Sequence, residues 1–140
     1  VVSHQHPTER NHAVTEQPPE LAPYPWLPTD RVHRWLKLTD TDDADLLALV
    51  EDCRQAAGDY CERQRPDLYA PATETTPARF AATPSVVQAG VLSAARLYAR
   101  IGSPAGLAAY AEIGAAEILR IDPDVTRLLG VGRYAPPRVG

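Results

Sequence analysis

The most regular alternation of apolar and polar positions lies in "TDTDDADLLALVEDCRQAAGDYCERQ", where Leu46, Val50, Cys53, Ala57 and Tyr60 recur at spacings of four, three, four and three residues. That period puts them on one helix face packed against other helices, with Leu47, Leu49 and Cys61 widening the stripe. At a rise of about 1.5 Å per residue, a helix around 42–64 is a rod of roughly 35 Å. The acidic run Asp40, Asp42, Asp43 and Asp45 precedes it and compensates the positive end of its dipole. A second helix is predicted over 84–101, with Thr83 as cap, Pro84 at the first position and Val87, Val91, Ala94 or Ala95, and Tyr98 on one face. Gly102, Ser103 and Pro104 end it.

Three weaker signals surround these rods. "TDRVHRWLKL" fits two helical turns from Thr29 or Asp30, with Val32 and Trp35 or Leu36 on one side and Arg31, Arg34 and Lys37 on the other. Residues 105–121 keep helical spacing in part, but Gly106 and Gly114 weaken a helix and "EILRI" alternates like a strand, so a loop or broken helix is expected. In "IDPDVTRLLG", Asp122 suits an N-cap, Pro123 the first helical position and Gly130 a left-handed stop, which predicts a helix over 123–129. Two turns do not persist alone in water, so this segment needs a surface to dock on. The expectation is an assembly element, loosely docked until a partner supplies that surface.

The remaining stretches lack a period. Residues 1–28 carry prolines at 7, 18, 19, 23, 25 and 28 and read as an extended arm outside the core, with Tyr24 and Trp26 as anchors on a partner. Residues 66–83 read as a polar loop rich in Pro and Thr. The predicted fold is all-α: a small helical bundle with two long helices, long loops and extended N- and C-terminal arms. Its parts are the arm at 1–28, a helical domain at 29–130 and a tail at 131–140.

Composition limits what such a domain does. Hydrophobic residues make up 44% of the 140 but aromatics only 6%, so helices pack closely on small side chains over a modest core. A net charge of −4 and a pI near 5.5 argue against broad embrace of nucleic acid. No stretch has the roughly 20 apolar residues of a membrane span, and the start does not resemble a signal peptide, so a soluble protein made in the cytoplasm is expected. Cys53 and Cys61, eight residues apart on one helix, are separated by roughly 12 Å and read as two buried small side chains.

Catalytic chemistry finds no footing in this pattern. His4, His6 and His12 lie in the proline-rich arm, where nothing holds a base in register, and His33 sits beside arginines as a surface or interface residue. "GVGRY" at 130–134 does not open a helix and lacks the Gly-Lys-Ser/Thr ending of a phosphate loop. The expectation is a non-enzyme with no metal and no cofactor. Arg31, Arg34 and Lys37 leave a second reading, a small helix-turn-helix-like DNA-binding regulator.

The order of "DADLLALVEDCRQAAGDYCERQRPDL", "PSVVQAGVLSAARLYARIGSPAGLAAYAEIG" and "ILRIDPDVTRLLGVGRY" resembles the head-to-tail adaptor (connector) proteins of long-tailed double-stranded DNA bacteriophages, especially those of actinobacterial hosts. The likeness spans 29–134. It implies a structural protein of the virion neck, a ring of twelve copies beneath the portal protein that receives the tail-completion or stopper protein, with genomic DNA passing through the channel. Carried onto this chain, the portal contact would use Asp122, Leu128, Leu129, Arg133 and Tyr134, and the contact between copies Arg96, Arg100, Asp42 and Asp45.

Overall fold

A computed structural model describes residues 23–101 and 114–137. Helix α1 spans Thr29–Trp35, α2 Ala44–Gln64 and α3 Pro84–Ile101; α4 covers 114–120 and α5 Pro123–Leu129. A two-stranded antiparallel ladder, β1 at Tyr69–Ala70 and β2 at Arg79–Phe80, lies between α2 and α3. The mainly helical fold expected from the pattern is the fold observed.

Among the described elements, the two long helices make the most extensive contact. From α2, Val50, Cys53, Ala57, Tyr60 and Cys61 are buried, as the period predicts; Leu46, Leu47 and Leu49, near its start, are only half-buried. Asp43 caps α2, its Oδ1 accepting from the backbone N–H groups of Asp45 and Leu46 at 3.1 and 3.2 Å. On α3 the buried set is Val86, Ala89, Gly90, Val91, Ser93, Ala94 and Leu97. This is wider than the predicted stripe and shifted from Val87 and Tyr98 towards Val86 and Leu97, because α3 is covered by α2, α1 and α5 together. Small side chains at 89, 90, 93 and 94 are what let three helices approach one. The cysteines are free and buried, and desolvation pushes their thiols up to about 11 for Cys53 and about 12 for Cys61, so neither is a thiolate near neutral pH.

The arm expected over 1–28 is corrected at its C-terminal end. Residues 24–27 form a strap across the long helices: Leu27 is fully buried, and Trp26 packs on both apolar clusters. Tyr24 lies over Gly58 of α2, and Leu27 and Trp26 lie over Gly90 of α3. A Cβ on Gly58 would stand 2.5 Å from Tyr24 Cγ, so the missing side chain is the seat of the strap. Arg54, just 1% exposed, fastens it. Its Nη1 donates to the carbonyls of Tyr24 at 3.1 Å and Leu27 at 2.8 Å, while Nε and Nη2 form a fork on the Glu51 carboxylate at 2.8 and 2.7 Å. Every buried face of the guanidinium thus meets an acceptor, the condition under which a buried cation is tolerated.

The loop expected over 66–83 also joins the core. Tyr69 pairs with Phe80 and Ala70 with Arg79 in the ladder, and the Ala81 N–H donates to the Leu68 carbonyl at 2.8 Å. Phe80 is buried between Trp26, with centroids 5.0 Å apart, and Tyr69, edge-on at 5.3 Å. Glu62 ties strap to loop by accepting from Trp26 Nε1 at 2.8 Å and from the Tyr69 hydroxyl. That hydrogen bond, with desolvation, pushes the Tyr69 phenol up to about 12.

The strap predicts its own tests. Arg54→Met, which fills the space but removes the guanidinium from the Tyr24 and Leu27 carbonyls and leaves Glu51 only its bonds from Gln55 and Thr29, should lower stability to urea by about 2–4 kcal/mol. Gly58→Ala should cost about 1–3 kcal/mol through overpacking against Tyr24, against a helix-propensity gain of about 1 kcal/mol; a net stabilisation would show that the strap is not seated there. Acid unfolding checks the ion pair. The hydrogen bonds from Arg54 hold the Glu51 carboxyl below its ordinary value of 4.5, so the folded chain binds fewer protons there than the unfolded one. The contribution of Glu51 is present above that value and is lost as pH falls through the depressed one; Glu51→Gln should flatten stability against pH over this window.

Candidate assembly interface

The C-terminal unit is built on the cap that the sequence announces. Asp122 has extended backbone and its Oδ1 accepts from the N–H groups of Asp124 at 3.0 Å and Val125 at 3.3 Å, which satisfies the first turn of α5. At the other end Gly130 takes the left-handed conformation, φ 70 and ψ 39, and its N–H returns to the carbonyls of Arg127 and Thr126. The helix spans Pro123–Leu129, the predicted bounds.

Loose docking is not what the structure shows. Val125 and Leu129 are fully buried in one cluster with Leu97, Val86, Ile118 and Leu119, and α3 is the principal surface beneath α5. Burying two such side chains contributes on the order of 3–5 kcal/mol, enough to hold two turns that nucleation alone disfavours. Ile118 and Leu119 belong to α4, so "EILRI" is helical up to Arg120 and its strand-like alternation is overridden by this packing. Residues 105–113 of the ambiguous stretch, together with the GSPAG motif, lie outside the described residues.

Arginines from the two long helices clamp α5 at both ends. Arg96 of α3 donates from Nε to Asp122 Oδ2 at 2.9 Å and from Nη2 to Asp124 Oδ2 at 3.1 Å, and Arg127 Nη2 reaches Asp124 Oδ1 at 3.2 Å. Arg65, the residue that closes α2, donates from Nη1 to the Leu129 carbonyl at 2.7 Å while its other nitrogens fork onto Asp67. Cations at the C-terminal carbonyls of a helix also oppose its dipole. Beyond Gly130 the chain makes one 3-10 turn at Gly132–Tyr134, with the Arg133 guanidinium 5.2 Å from the Tyr134 ring centre, and residues 135–137 are exposed.

The sequence-predicted residues therefore divide. Arg133 is exposed and Tyr134 and Leu128 are half-buried, so part of each is open to a partner. Leu129 is corrected: with no exposed surface it is core. Asp122 is committed to the cap and to Arg96, and Arg96 is committed to Asp122 and Asp124 inside the chain. Arg100 is exposed and already engaged within the chain; Asp42 and Asp45 are exposed at the start of α2. Tyr24 and Trp26 anchor the strap on this domain itself, through Asp59 and Glu62, in place of a partner. His4, His6 and His12 lie outside the described residues, and His33 is half-buried. Arg65 escaped sequence reasoning, since a residue before a proline reads only as a helix end; Asp67, two residues on, was the available signal.

Among the described residues no helix is long and apolar enough to cross a membrane, and no group of three or more His, Cys, Asp or Glu side chains is placed to hold a metal ion. Comparison with protein-family models, with curated proteins and with solved structures finds no match to this chain.

Asp122 has two duties that mutation separates. Asp122→Ala removes the cap and the Arg96 bond and should lower stability by about 1–2 kcal/mol; Asp122→Asn, which can still cap, should recover most of it. Arg96→Met should cost about 1 kcal/mol: the pair with the half-exposed Asp124 contributes little, and most of the loss falls on Asp122, whose side chain is only 15% exposed. Urea unfolding of the three variants checks the order.

Proposed function

We propose that this chain is a structural adaptor of a bacteriophage neck, a ring of identical copies seated beneath the portal that joins the DNA-filled head to the tail. The observation that carries the reading is the doubly clamped terminal helix. Arg96 and Arg65 fix both ends of α5 on the two long helices, and the chain beyond it leaves from a fixed point with Arg133 and residues 135–137 open to solvent. A folded body that presents an exposed peptide directly after a clamped helix suits docking to another protein better than it suits chemistry. The resemblance of "DPDVTRLLGVGRY" and its two preceding helices to phage adaptors supports the same role.

Assembly physics agrees with it. A ring multiplies a weak contact by its copy number, so a subunit that is monomeric in dilute solution is held firmly once a portal templates it. Twelve copies at −4 each would carry about −48, and a negative wall lets DNA slide past instead of adhering. The same acidic balance disfavours the DNA-binding regulator.

A phage lacking this gene should accumulate DNA-filled heads and finished tails that do not join; joined, infectious particles would end the proposal. Val131 packs partly against the core, so the tail is tested beyond it. Removing 135–140 together with Arg133→Glu should leave the melting of the free chain unchanged while abolishing capture by the portal protein.

A further inference from the structure

Arg31, Arg34 and Trp35 of α1 line a shallow groove of about 490 Å³, with Gln88 and Val91 of α3. Trp35 occupies an apolar position of its helix, yet it is 52% exposed while Val32 on the same helix is fully buried. A half-exposed indole in a groove that two arginines also line has the character of an anchor. The arginines are similarly underused. Arg54 and Arg65 each fork onto one carboxylate, and Arg96 bridges two. Arg31 instead makes one hydrogen bond, to the neutral Gln88 amide at 3.2 Å, and Arg34 one, to Asp30 at 3.4 Å with both side chains largely exposed.

The chain also carries a surplus of the opposite sign. Asp43 is used as the cap of α2, but Asp40, Asp42 and Asp45 are exposed and pair with no cation among the described residues. Arg96 and Arg100 are engaged within the chain and so are poor candidates to meet them. Two complementary patches that do not meet among the described residues of one molecule can meet across two copies. A contact between different patches is head-to-tail, and it closes into a ring when its rotation does.

We infer that the Arg31–Arg34–Trp35 groove of one subunit receives the acidic run Asp40–Asp45 of the next, making the lateral contact between copies. This rests on the proposed ring. Carboxylates would replace the single bonds of Arg31 and Arg34 with forks, and Trp35 would lose water against the approaching chain.

The test uses the full chain, alone and on the portal, with copy number read by mass photometry at low and high salt. All altered residues are exposed, and circular dichroism confirms the fold. Arg31→Glu with Arg34→Glu, or Asp42→Arg with Asp45→Arg, should each weaken ring formation roughly tenfold or more, because like charges then face each other. Mixing the two reversed chains should restore rings of alternating subunits, and Trp35→Ala should weaken assembly without reversing its salt dependence. If wild-type rings form and both charge reversals still form them, the inference is wrong and the ring stands. If the wild-type chain stays monomeric even on the portal, the ring itself falls. Salt-sensitive binding of a labelled DNA duplex, lost in the double arginine variant, would overturn the inference by showing that the groove meets phosphate.

Discussion

The fold depends on one buried cation. A guanidinium taken out of water is costly unless its nitrogens find acceptors, and each nitrogen of Arg54 does so, on the two oxygens of Glu51 and two main-chain carbonyls. The carbonyls belong to Tyr24 and Leu27, so the side chain that needs them also fixes the path of residues that would otherwise be an extended, proline-rich arm. With the strap in place Leu27 and Trp26 enter the core, Trp26 covers Phe80, and Glu62 gathers the indole and the Tyr69 phenol. The ladder between α2 and α3 thus depends on the same arginine at one remove.

Close approach is the second constraint, and it explains a composition that looks unpromising for a core. A chain poor in aromatics must bring backbones near one another to exclude water. Gly58 and Gly90 let the strap lie on the helices, and Ala89, Ser93 and Ala94 let α3 serve α1, α2 and α5 together. The few large side chains are then placed where separate elements meet: Trp26 touches both apolar clusters, and Phe80 lies between two rings.

What the sequence announced and what it hid follow from the range of the forces involved. Helices α2, α3 and α5 were legible because caps and periodicity act within a few residues: Asp43, Asp122, Pro84, Pro123 and Gly130 do locally what their chemistry requires. Arg54 was invisible because a charged residue beside Glu51 reads as an exposed ion pair, and nothing nearby in sequence shows that its two carbonyl partners lie some thirty positions upstream. For the same reason the strap read as an arm, Phe80 as part of a polar loop and Leu129 as a surface residue. Of the candidate interface, the cap and the stop were legible; the Arg96 and Arg65 clamps join residues 26 and 64 positions apart and are a property of the fold alone.

The Arg65 clamp also gives the C-terminal unit a second path for mechanical load beside its own backbone. A helix pulled from its end commonly unwinds turn by turn, each hydrogen bond breaking in succession. Here the last carbonyl of α5 is gripped by a side chain rooted at the end of a 21-residue helix, and that root is itself locked to Asp67. A pull on the tail would therefore load the Arg65 bond, and through it the longest helix among the described residues, alongside the backbone of α5.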